Sequence, residues 1–340
     1  MSTKIAQRAN YIDAVKGVAI LCITFLHFED GVIPQWLNVW IGMFMISTFY
    51  FTSGWVTGMQ DKKIATNELF KKRIKQLGIP YLWFSALILG FDMILVLCGF
   101  METEILFRDI YKTITLRGIG TLWFLPVLII GETFFCYIRN NEYKILIGII
   151  ALIFTIFVSY CYFDIWSPLR ELSTTNKIID SLFQPIVRGI TSWPVIAIGY
   201  LLCKYAWNKI NTNKYILFFI GIIIIAFSLL LIIAPPFNIY YVNSVLSNFL
   251  PTLGFICLFA ICKNNNVVNR FFIYWGVNSL VLMCTHYSIT EEVFKIFNVK
   301  VLHQGFNGWI TILYFILTII LTYPLVNLFN GRLKFMLGKK

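Results

Sequence analysis

Apolar residues gather along the chain in ten long blocks, near 11–29, 36–59, 79–100, 119–138, 145–163, 185–203, 215–234, 244–262, 271–290 and 308–329, and most of the charge lies between them. Each block approaches the ~20 residues a helix needs to cross a bilayer. The pattern predicts an all-α membrane protein, a bundle of about ten transmembrane helices. The first block follows Lys4 and Arg8 as a signal peptide would. No small-residue cleavage site comes after it, and "HFEDGVIPQW" is a poor substitute, so the block is read as a retained span.

Composition removes the soluble alternatives. The 340 residues are 59% hydrophobic and 13% charged, with mean hydropathy +0.76, against ~45–50% apolar and ~25% charged in a soluble domain. No repeat of short fixed period is visible, nor a low-complexity linker or long soluble tail. One integral membrane domain over 1–340, without a separate soluble domain, is therefore expected.

The net charge of +12 is a statement about topology. With both termini cytoplasmic, the inner side holds 20 of the 28 basic residues when Lys16 at the inner end of the first span is included, six of them (Lys62, Lys63, Lys71, Lys72, Arg73, Lys75) in one connection. Loops between spans keep Lys and Arg on the cytoplasmic side, which selects this orientation. Ten of the 16 acidic residues fall in outer loops, and Asp92 and Glu132 lie within spans. The basic excess also draws the protein to anionic inner-leaflet lipid, and nucleic acid is not an expected partner. The eight cysteines are scattered through the spans without a C-x-x-C pair, so they read as small packing residues; no disulfide framework and no metal site are expected.

Candidate chemistry begins in "DAVKGVAILCITFLH", residues 13–27, which places Asp13, Lys16 and His27 on a helix that lipid favours bare. Ionisable groups inside the membrane are costly and mark functional positions. Lys16 and His27 are 11 residues apart, a rotation that ends about 20° past three full turns with an axial rise of about 16.5 Å. One face thus carries a cation at the inner mouth and an imidazole, suited to general-base work, toward the outer side. Alone, Lys16 reads equally as a residue snorkelling to inner headgroups, and His27 as a packed histidine bonded to a backbone carbonyl.

Five segments in order resemble acyltransferase family 3. "YIDAVKGVAILCITFLH" is similar to the family's first helix, in which ten residues separate a basic residue from a histidine. "FYFTSGW" (49–55), "FKKRIKQLGIPYLWF" (70–84), "GTLWFLPVLI" (120–129) and "GVNSLVLMCTH" (276–286) resemble its later motifs. The opening looks nearest the fucose 4-O-acetylase-like branch; where that branch often has a histidine in its second helix, this chain reads "GMFMISTFYF".

The resemblance implies O-acylation, usually O-acetylation, of a cell-envelope glycan in the bacterial cytoplasmic membrane, with cytoplasmic acetyl-CoA as donor and a glycan or lipid-linked sugar as acceptor at the outer face. Some relatives carry an extracytoplasmic esterase-like domain. This chain ends soon after its tenth span, so it is expected to finish the transfer itself or hand the acyl group to a separate extracytoplasmic protein.

Peptide-like bond lengths give a pantetheine arm a reach of roughly 15–20 Å, similar to the rise from Lys16 to His27. Lys16, or Arg73 in the inner basic loop, is expected to hold the CoA phosphates, Arg73 as the fork-shaped donor or else as a topology marker. His27 acts as base or takes the acetyl group itself. His286 shares or orients the proton, or makes a structural hydrogen bond. Asp13 steadies Lys16, or pairs with the inner basic loop. Ser53 and Gly54 read as a close-packing site, and Glu132 calls for a basic partner within the bundle. Trp166 and Arg170, in the outer connection near 164–184, offer a sugar-binding surface or an interfacial anchor.

A proton-coupled exporter of a polysaccharide or its precursor is the competing reading, since it too needs many spans and buried Asp, Glu and His. A noncatalytic assembly protein would need none of the aligned groups of the first helix. The charge asymmetry yields a direct test: reporter fusions after residues 66 and 140 should read cytoplasmic, and fusions after 108 and 175 external. The opposite pattern would reverse the donor side.

Overall fold

The structure is a computed structural model that describes residues 9–28, 31–60, 62–207, 209, 213–234, 240–262, 267–298, 302 and 308–339, with the backbone alone at 240–244. Lys4 and Arg8, and Glu29 and Asp30 of "HFEDGVIPQW", lie outside the described residues. The long helices are α1 (Asn10–Phe28), α2 (Gln35–Gln60), α3 (Thr66–Leu97), α5 (Gly120–Asn140), α6 (Lys144–Arg170), α7 (Thr174–Trp207), α8 (Lys214–Ile233) and α12 (Gly308–Asn330). Between them come the short α4 (Thr103–Ile114), α9 (Tyr240–Ile261), and α10 (Val267–Val277) followed by α11 (Ser279–Ile296).

Eight helices among the described residues are long and apolar enough to cross a membrane. The α10–α11 pair, bent by 64°, makes up to nine, and α9 contributes a shorter apolar segment. No strand occurs among the described residues. The protein is an all-α membrane protein, and the ten apolar blocks fall on these helices in order.

Two boundaries differ from the pattern of apolar blocks. Residues 66–78, read as part of a basic loop, continue α3 inward: Glu68, Lys71, Lys72 and Arg73 are good helix formers on an exposed turn. A π-helical turn at Ile74–Gly78 then absorbs Pro80, which cannot donate to the helix ladder. In the same way α7 starts at Thr174, well before its apolar block: Thr174, Thr175 and Lys177 are exposed in its first turn, and the polar residues that follow, Asp180, Ser181 and Gln184, are buried.

The chain forms two compact units, one of Met1–Lys62, Val195–Met283 and Asn298–Thr322, the other of Lys63–Pro194, Cys284–Phe297 and Tyr323–Lys340. In the first unit α1 and α10 meet backbone to backbone. A Cβ on Gly17 would overlap the Phe272 carbonyl and one on Gly276 the Asp13 carbonyl, so only glycine permits this approach. Gly54 faces the Ile196 carbonyl in the same way, making the second-helix motif the close-packing site expected of it. Beside it, Trp55 meets Trp207 edge-on at 5.1 Å between centroids and donates its indole N–H to the Tyr11 hydroxyl at 3.3 Å. Side-chain bonds tie α2 to α8 and α9: Trp40 Nε1 donates to Ser228 Oγ at 3.0 Å, and the Thr48 and Thr252 hydroxyls lie 2.7 Å apart.

In the second unit Tyr81 on α3 donates to the Thr113 carbonyl at 2.8 Å and holds the end of α4 against the span. Trp193 Nε1 donates to Thr155 Oγ1 at 2.8 Å, linking α7 to α6. All eight cysteines carry free thiols, with Cys136, Cys203, Cys257 and Cys284 buried.

The glycine contacts predict opposite outcomes for one substitution type. Gly276→Ala should lower thermal stability in detergent by about 1–3 kcal/mol, the usual range for overpacking. Gly42→Ala meets no atom within 4 Å and should be neutral or gain up to ~1 kcal/mol from reduced backbone freedom. Equal unfolding temperatures for the two variants would rule out the close α1–α10 crossing.

Candidate functional site

In the first unit, α1 carries three of the candidates. Asp13 is buried, and its Oδ1 lies 3.9 Å from Lys16 Nζ one turn on, an ion pair within the helix. Lys16 keeps a quarter of its side chain exposed, 25%. His27 is half-buried at the far end of the helix, on the same face as Lys16 by helical repeat.

In the second unit Arg73 on α3 reaches across to Glu132 on α5, which is only 4% exposed. Its Nη2 donates to Oε1 at 3.0 Å and its Nε pairs with Oε2, a two-pronged fit of guanidinium to carboxylate. The remaining Nη1 donates to Gln76 Oε1 at 2.8 Å. Glu132 therefore has the basic partner that its place in a span demands. His286 is fully buried and opens a π-helical turn, His286–Glu291, in which the Thr290 hydroxyl donates to the His286 carbonyl at 2.8 Å. Trp166 and Arg170 converge on the buried Asp180: Trp166 Nε1 donates to Oδ1 at 3.1 Å, Tyr162 donates to the same oxygen at 2.7 Å, and Arg170 Nη1 is 3.9 Å from Oδ2.

The second unit also holds a half-open cavity of about 410 Å³, within the range of small-ligand sites. One wall is formed by Arg117, Trp123, Gln184 and Arg188. Arg117 Nη1 donates to the Ser181 hydroxyl at 3.1 Å, and the Arg188 guanidinium lies over the Trp123 ring at 4.6 Å from its centroid. Ser181, Gln184 and Arg188 follow one another at three- and four-residue steps, which places them on one stripe of α7.

Asp92, Asp109, Lys112 and Glu292 supply the opposite charges. Asp109 is engaged, its Oδ1 2.7 Å from Lys112 Nζ. Asp92 is 3% exposed, and its Oδ2 has no hydrogen-bond partner among the described residues. Tyr287 and Ser288 close the cavity beside Gly120, whose φ of +53° and lack of a side chain let the Tyr287 ring approach. A cavity edged by a carboxylate, an amide, aromatic rings and guanidinium groups can hold a polar ligand rich in hydroxyls.

The sequence profile of an acyltransferase domain matches residues 9–329. The chain belongs to acyltransferase family 3. No curated protein and no solved structure matches it. It is thus a multi-pass membrane acyltransferase, and its family match spans both units.

For this acyltransferase, reasoning along the sequence singled out Asp92 only as a costly carboxylate, and missed Arg117, Gln184, Arg188 and Glu292. The available signal was the polar stripe Ser181, Gln184, Arg188 within an otherwise apolar helix. The Arg73–Glu132 pair carries a prediction with an internal asymmetry. Arg73→Leu leaves Glu132 charged and buried and should cost on the order of 3 kcal/mol, the range for a buried pair broken from one side. Glu132→Leu leaves Arg73, 26% exposed, able to reach water, and should cost roughly 1 kcal/mol. Chemical or thermal unfolding of the two variants compares them, and the reverse order would show that Arg73 is the more deeply held partner.

Proposed function

We propose that this acyltransferase moves an acetyl group from cytoplasmic acetyl-CoA to a hydroxyl of an envelope glycan at the outer face of the bacterial cytoplasmic membrane. The observation that carries the reading is the family match over residues 9–329, together with a first helix that sets Lys16 and His27 on one face. Lys16, with Asp13 beside it, holds a CoA phosphate at the inner mouth. Arg73, which bonds the neutral Gln76 as well as Glu132, is the alternative donor to the phosphate. The thioester then reaches His27, which either removes the proton from the acceptor hydroxyl or carries the acetyl group in transit. His286 orients or shares that proton.

With both termini cytoplasmic, the connection from 98 to 119 is external, so the cavity of Asp92, Trp123 and Arg188 takes the acceptor. Its volume suits a terminal sugar and not a run of polymer. Carboxylate, amide and aromatic groups are the partners such a ligand requires.

Mass spectrometry of envelope glycans from cells with and without the gene should show loss of a 42-dalton ester increment, roughly the mass of acetyl replacing hydrogen. His27→Gln retains size and hydrogen bonding but not the base. It should insert normally and lose ~10²-fold or more of the transfer rate, the usual share of general-base catalysis. Full acetylation in a normally expressed His27→Gln strain would remove His27 from the chemistry.

A further inference from the structure

The cavity of the second unit has more positive charge at one wall than an uncharged sugar would use. Of its basic residues, Lys112 is neutralised by Asp109 at 2.7 Å, and Arg108 lies 3.8 Å from the same oxygen. Arg117 is different: it donates to a neutral hydroxyl, that of Ser181, and no carboxylate pairs with it among the described residues. Arg188 adds a second guanidinium to that wall, placed by the Trp123 ring. Guanidinium groups present planar N–H forks that match the oxygens of phosphate and carboxylate. Across the cavity, Asp92 has an oxygen with no partner while 3% exposed, and Glu292 lies within its electrostatic range. A buried carboxylate oxygen in this state asks for a donor from the ligand.

Resting on the proposed acceptor role of this cavity, we propose that the acceptor is a sugar bearing an oxyanion. Its anionic group lies against Arg117 and Arg188, and its hydroxyls donate to Asp92 and Glu292. The oxyanion has two sources, a phosphate through which a sugar is linked to its carrier or the carboxylate of an acidic sugar in the glycan. The shared chemistry is a negatively charged oxygen cluster close to a polyhydroxylated ring.

Titration calorimetry on the full chain in lipid nanodiscs, without acyl donor, tests this with three probes: glucose 1-phosphate, glucuronate and glucose. At least one anionic probe should bind tenfold or more tightly than glucose. A preference for glucose 1-phosphate assigns a phosphate-linked acceptor, and a preference for glucuronate an acidic sugar. Arg117→Gln should bring the anionic probe down to the affinity of glucose, a loss of about tenfold or more for a charged hydrogen bond, and leave glucose unchanged. Asp92→Asn should weaken all three. Ser181→Ala removes the hydroxyl partner of Arg117 but not its charge, so it should keep the anion preference, which separates recognition from support of the helix. Equal binding of glucose and the anions, no binding of either anion, or an Arg117→Gln variant that loses all three alike would overturn the proposal. Because no acyl donor is present, those results leave the transferase reading to its own glycan test.

Discussion

Hydrocarbon does not solvate charge, and an ionised side chain within it costs several kcal/mol unless a partner or water meets it. This penalty decides how neighbouring segments are pinned. Glu132 draws Arg73 across from α3 to α5. Asp180 gathers Tyr162, Trp166 and Arg170 and so fastens the start of α7 to the end of α6. Glu291 takes Lys295 one turn along its own helix, as Asp13 takes Lys16. Asp92 differs in that no cation pairs with it among the described residues, one of its buried oxygens has no hydrogen-bond partner there, and the residue lines a cavity. The other carboxylates named here each hold a cation, whereas Asp92 faces a cavity with room for water or ligand.

The same constraint explains what could be read along the chain. A span needs a long uninterrupted apolar run, so all ten blocks stood out and landed on helices. The Asp13–Lys16 pair was visible because it is local, three residues apart on one helix. That Glu132 needs a cation followed from its place in a span; that the cation is Arg73 did not, since the two meet only after α3 is extended inward through residues first taken for a loop. Charge density at 66–78 suggested solvent, whereas the helix propensity of those residues decides the backbone. The cavity was harder still. Its walls come from four separate stretches, around 92, 109–123, 184–188 and 287–292, and a single Arg, Gln or Trp near the end of a span is ordinary.

Among the described residues, π-helical turns occur along the helices at Ile74–Gly78, Cys161–Trp166, Leu202–Trp207 and His286–Glu291. Each widens the helix and shifts the register of the residues that follow. Two precede prolines, Pro80 and Pro168, where a backbone donor is lost. The last has a different effect. By widening the turn after His286 it brings Tyr287, Ser288 and Glu292 onto the cavity together, and the Thr290 hydroxyl lies within hydrogen-bond distance of the Thr285 and His286 carbonyls, at 3.1 and 2.8 Å. The family-like motif "GVNSLVLMCTH" thus ends where the helix changes form, and the histidine and the cavity residues depend on the same local rearrangement.

The bend between α10 and α11 is the feature an exporter would use, since transporters build their midplane sites from broken helices whose freed backbone groups face the cargo. Here the Tyr274 carbonyl just before the break accepts twice from Asn278, from its backbone N–H at 3.2 Å and from its side chain. The Asn278 side-chain amide donates to the Tyr274 carbonyl at 2.8 Å, and Asn278 is buried, so that backbone group is satisfied by its own helix and not held open for an ion or a glycan. Moving a polymer through a membrane needs a wide wet route. Moving an acyl group needs only a narrow path for a slender arm and a pocket for one hydroxylated ring, and the cavity of about 410 Å³ in the second unit, beside helices pinned by internal ion pairs, is of the size the second task needs. Membership of acyltransferase family 3, whose profile matches residues 9–329, agrees with that balance.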